Sequence, residues 1–106
     1  MEDLKEINER LTNLPQEICA KKKTYELLKI HLDEEKGIIL LNLDRAKYTN
    51  ADLREAFVYS NQDIIELRKS YVISEAEYYE AVNFFSAVQE RARNIRAEIK
   101  ATHDGV

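Results

Sequence analysis

The run Lys21-Lys22-Lys23 and the spaced arginines Arg91, Arg93 and Arg96 are the residues of this chain whose type and spacing point most directly to chemistry. Clustered Lys and Arg bind phosphates with salt-dependent, sequence-independent affinity, so these six are the candidate contacts for single-stranded DNA. Tyr25 follows the lysines closely and is of a type that stacks on an unpaired base. Two plainer roles compete: the cations as a solvated surface partly paired with Glu17, Glu90 and Glu98, and Tyr25 as packing between helices.

Other constellations carry less. His31 and Glu35 share a helix face at a spacing zinc sites use, but a site needs more than two ligands and no further His or Cys stands near them in sequence. Cys19 has lysines close by, which favours a thiolate, yet no histidine base is local. Neighbouring acids such as Glu34 with Glu35, or Glu75 with Glu77, belong on a solvated helix surface. With no glycine-rich phosphate loop, no nucleophile elbow and no Cys pair, the sequence calls for no enzyme activity, no cofactor and no metal.

The elements that must position these residues are long helices. Apolar residues recur at three-four spacing through Leu4, Ile7, Leu11, Leu14, Ile18, Tyr25, Leu28, Leu32 and Ile39, and again through Ile64, Leu67, Tyr71, Tyr78, Ala81, Phe85, Val88, Ala92, Ile95 and Ile99. A heptad repeat of this length keeps one seam of a helix against a partner. Charged residues make up 34% of the 106, against only two Gly and one Pro, which suits helices rather than sheets. The expected fold is all-α: an antiparallel, coiled-coil-like helical hairpin with a short third helix at its closed end, in one domain and oligomeric, because so slender a unit leaves much of each helix wet.

The boundaries read as an amphipathic helix over 1–14, opened by the acids Glu2, Asp3, Glu6 and Glu9, then long and short helices over 16–47 and 50–60, and a last helix over 63–101, with a frayed tail from His103. Pro15 either kinks one helix or separates two, and a new start is the expectation. Thr49 or Asn50 caps the short helix, which should show Leu53, Ala56, Phe57 and Val58 to the others. The run Ile38 to Leu43 is apolar nearly all round and should be covered on more than one side, a burial that offsets the helix penalty of Gly37.

With a reversal between 47 and 63, facing positions should sum to roughly 110, which brings Lys21 to Lys23 beside Glu90, Arg91 and Arg93 in a basic open end. Residues 26–85 hold twelve acids and seven bases, an acidic shaft. Leu27, Ile38, Leu41, Ile65, Val72 and Tyr79 lie off the main seam and are the candidate self-association or partner surface. One member of each of the pairs Tyr78-Tyr79 and Phe84-Phe85 must point off the seam as well. The lone cysteine and the lack of a long apolar run predict a cytoplasmic protein that neither enters nor crosses a membrane.

The order of parts also carries a resemblance. Leu14-Pro15, a long helix with Tyr25 and Lys29, Thr49-Asn50-Ala51-Asp52-Leu53-Arg54-Glu55-Ala56, then Phe85-Ser86-Ala87-Val88 ahead of Arg93 and Arg96 resemble small helical-hairpin proteins of phages and prophages of Gram-positive bacteria. The likeness spans residues 14 to 97. It implies a phage early-region protein, set in the host cytoplasm, with an accessory role in recombination or replication. Its partners would be itself, a phage or host recombination or replication protein, and single-stranded DNA. Two other classes fit the sequence: a phage inhibitor of a host defence or replication enzyme, acting through acids such as Asp33, Glu34, Glu35, Glu75, Glu77 and Glu80, or a purely structural oligomer.

Overall fold

A computed structural model describes residues 4–104, and every regular element in that span is a helix: α1 (Leu4–Leu41), α2 (Ala51–Ser60) and α3 (Gln62–Asp104). The first-turn acids Glu2 and Asp3 and the tail residues Gly105 and Val106 lie outside the described residues. Helices α1 and α3 pack antiparallel into a rod of 83 × 21 × 18 Å, with α2 at the closed end. Its radius of gyration of 23.0 Å compares with about 13 Å for a compact domain of this length.

Three boundaries differ from the sequence reading, each for a local reason. Helix α1 continues through Pro15 rather than restarting there. Proline withholds the amide that would bond the Leu11 carbonyl and its ring crowds that carbonyl, and Pro15 itself lies on the exposed side of the helix. The heptad seam is unbroken across the site, with Leu14 buried and Leu11 and Ile18 half-buried, so packing overrides the local penalty.

The same helix ends at Leu41, not near Lys47. Asn42 donates its side-chain amide to the Ile38 carbonyl at 2.9 Å, and Asp44 accepts the Ala46 amide on its carboxylate at 3.0 Å. Short polar side chains that take backbone partners in this way compete with helix propagation. At the far end α3 continues through Asp104, beyond the expected stop at Ala101.

The turn into α3 is a single residue. Asn50 caps α2 by accepting the Leu53 amide at 2.9 Å, and Asn61, the only residue between the two helices, caps α3 by accepting the amides of Asp63 and Ile64 at 2.9 and 3.2 Å. Each cap satisfies donors that a helix start leaves open.

Burial concentrates at the two ends of the rod. Ile7, Leu14, Val88 and Ala92 form one cluster, flanked by Leu11, Phe85 and Ile95. Leu32, Val58 and Ile64 form the other, flanked by Ile39, Tyr59 and Leu67. Between them the seam is filled by tyrosines: Tyr25 lies 6.2 Å from Tyr71 and 5.1 Å from Tyr78, centre to centre. Only Val58 of α2 is buried; Leu53, Ala56 and Phe57, expected to face the other helices, are exposed, although Phe57 rests against Tyr48 at 4.8 Å.

Candidate interaction surface

The register decides which side chains meet. Asn8 accepts a hydrogen bond from Arg96 at 3.3 Å, Tyr25 lies between Tyr71 and Tyr78, and Lys21 borders Ser74 and Glu77, so facing numbers sum to roughly 100 rather than to 110. The offset follows from the early end of α1, which moves the reversal toward the N-terminus.

One consequence is that the predicted basic cluster is divided. Lys21 is half-buried in a shallow groove with Ala20, Thr24, Ser74 and Glu77, and Lys22 pairs with Glu26 on its own helix at 4.0 Å. Arg93 and Arg96 are exposed toward the open end, Arg96 engaged with Asn8, and Arg91 has an interaction of its own. The position facing Lys22 lies near residue 78, so Arg93 stands roughly 22 Å further along α3. Tyr25, the candidate base platform, is half-buried among tyrosines, and burial, with Glu26 close by, raises its phenol above the ordinary value.

The outer apolar residues divide too. Leu27 follows the seam residue Tyr25 by two positions, or roughly 200° around α1, which puts it on the back of that helix with Ile38 and Leu41. Ile65, Val72 and Tyr79 each follow a seam residue by one position, roughly 100° around α3, and therefore form a flank. All are exposed except Ile65, which is half-buried. A single flat partner cannot cover both lines.

The apolar run at the end of α1 is covered on one side and open on its back. Leu41 is 82% exposed and Ile38 51%, whereas Ile39 packs into the closed-end cluster, Leu40 lines the side toward α2 and Leu43 is half-buried. Helix α2 shelters the opposite side of α1 through Val58, and leaves this back face to solvent. The paired aromatics split as expected, with Tyr78 and Phe85 at the seam and Tyr79 and Phe84 outside, Phe84 lying 5.8 Å beneath the Arg10 guanidinium.

Where α2 meets α1, the structure forms a cleft of about 350 Å³ lined by Lys36, Leu40, Arg45, Ala51, Arg54, Glu55, Val58 and Tyr59. Lys36 donates to the Tyr59 hydroxyl at 3.0 Å and lies 4.8 Å from the ring centre, while Arg68 of α3 lies 4.4 Å from the same centre. Arg54 donates to the Tyr48 carbonyl at 3.1 Å. These cations are scattered through a stretch that is acidic in sum, so no run or spacing signals them. They converge only because two Asn-capped breaks fold α2 back.

The remaining candidates stay apart. His31 and Glu35 border a shallow polar groove with Asp63 and Glu66, and among the described residues no group of three His, Cys, Asp or Glu side chains is placed to hold a metal ion. Cys19 is exposed. No described helix is long and apolar enough to cross a membrane. Comparison with family models, curated proteins and solved structures finds no match to this chain.

Proposed function

We propose that this chain is a non-enzymatic accessory protein of the phage type, which works by gripping other proteins in recombination or replication. The observation that carries the binding role is the bare apolar back of α1, from Leu27 and Ile30 to Ile38 and Leu41, all more than half exposed. Covering apolar surface is worth about 25 cal/mol per Å², a gain that the isolated rod forgoes and that a second copy or a partner recovers. The phage and recombination setting rests on the resemblance through Asn50 to Ala56 and Phe85 to Val88 alone.

Single-stranded DNA is the weaker part of this reading. Lys21 to Lys23 stand apart from Arg91, Arg93 and Arg96, so a phosphate chain would have to track along the rod to touch both groups. The α1 back and the α3 flank suit protein partners better, one serving self-association and the other an outside protein.

Light scattering on the full chain, alone and mixed with a phage annealing protein or a single-strand DNA-binding protein, tests the proposal. The expected result is a mass above the 12.4 kDa monomer, from self-association or a complex, that falls when Leu27→Glu and Ile38→Glu are introduced while helicity is retained. A strict monomer that joins neither protein would contradict it.

A further inference from the structure

We propose that the closed-end cleft is a docking site for an acidic peptide segment bearing a bulky apolar side chain, with the apolar group entering between Leu40 and Val58 and the carboxylates meeting Lys36, Arg45 and Arg54. This deepens the reading of the chain as a binding protein and names the chemistry of one partner segment.

Charge singles out this place. The chain as a whole carries −4, yet the cleft has three cations on its walls against one acid, Glu55, and a fourth cation, Arg68, stands behind Tyr59. None of Lys36, Arg45, Arg54 or Arg68 forms an ion pair with a described residue. Three of them are instead held in place, Lys36 and Arg68 by Tyr59 and Arg54 by the Tyr48 carbonyl. Cations fixed in advance lose little side-chain freedom on meeting a carboxylate, which favours binding.

The rest of the lining selects the kind of anion. Leu40, Ala51 and Val58 give the cleft apolar walls that a bare phosphate chain could not use and a Leu or Phe side chain could. The Tyr59 ring already holds two cations within 5 Å of its centre, which makes it a poor platform for a base. At about 350 Å³ the space sits at the small end of ligand pockets, enough for one or two side chains of a peptide and too little for a folded domain to enter. Apolar anchoring with flanking charge pairs is a recurring mode of peptide recognition.

Fluorescence polarisation with the labelled peptide Asp-Glu-Asp-Asp-Leu-Phe and the full-length chain decides the matter. Saturable binding is expected, weakened at least tenfold by Arg45→Glu and by Lys36→Glu, and weakened by added salt. Versions of the peptide with Lys in place of the acids, or Ser in place of Leu-Phe, should fail to bind. Arg45→Glu alters an exposed loop residue, so circular dichroism should show unchanged helicity, and this variant alone suffices if Lys36→Glu disturbs folding. Absence of binding, binding unmoved by Arg45→Glu, equal binding of the Ser version, or full displacement by a thymidine oligonucleotide would overturn the assignment. Such a failure leaves the mass measurement untouched, and a monomer that still binds the peptide would overturn only the apolar-face reading.

Discussion

Tyr71 is the residue whose chemistry departs furthest from that of a free side chain. Its hydroxyl donates to Glu75 at 2.6 Å, and that bond first, with burial second, pushes its phenol up to about 12. A raised value means that the folded chain holds this proton more tightly than the unfolded chain. Its stabilising effect is therefore complete below about pH 10 and is lost as the pH climbs from about 10 through about 12. Thermal melts across that window should show stability falling with pH, with a shallower fall in Tyr71→Phe; equal slopes would contradict the assignment. Burial makes a second prediction at this scale. Ile64 is fully buried at the closed end, so Ile64→Ala should cost about 2–4 kcal/mol in chemical denaturation, whereas Ile73→Ala, at an exposed site that is not among the proposed contact residues, should cost under about 0.5 kcal/mol.

At the scale of elements, α1 carries two residues that its own helix would be better without. Pro15 withholds an amide, and a Cβ added at Gly37 would meet nothing within 4 Å. Replacing Gly37 by Ala should raise stability by about 1 kcal/mol, and Pro15→Ala by up to about 3 kcal/mol, both read from the denaturation midpoint. A drop in either would show that the backbone there is not plain helix. The heptad stripes made the two long helices and their hairpin pairing legible from sequence, because periodicity records which face is buried, and the cap residue Asn50 made the closed-end helix legible. Helix ends were less legible: Asn42 and Asp44 stop α1 through side-chain bonds that an apolar pattern does not register, and the seam carries α1 past Pro15 despite proline's local signal. The early stop of α1 is the step from which the changed register follows.

For the whole molecule, that register governs which candidate surfaces exist. The sequence held every residue of the basic groups and of the outer apolar lines, but the division of each into separate places depends on the pairing offset and on angles around each helix. The cleft of Lys36, Arg45 and Arg54 was invisible for a related reason: its cations come from α1, the 42–50 connection and α2, within an acidic stretch, and meet only where that connection folds α2 back against α1. A slender rod, with its packing concentrated in end clusters and tyrosines between, has most of its surface free for partners. The central claim is thus the antiparallel pairing of α1 with α3 in this register. Spin labels at positions 22 and 93, in a Cys19→Ser background, test it most directly by pulsed electron resonance. The structure predicts a backbone separation of roughly 25 Å, from about fifteen residues of axial offset and one helix-to-helix spacing. A separation of roughly 10 Å would restore the single basic cluster, and one well beyond roughly 40 Å would mean that the two helices do not fold back on each other.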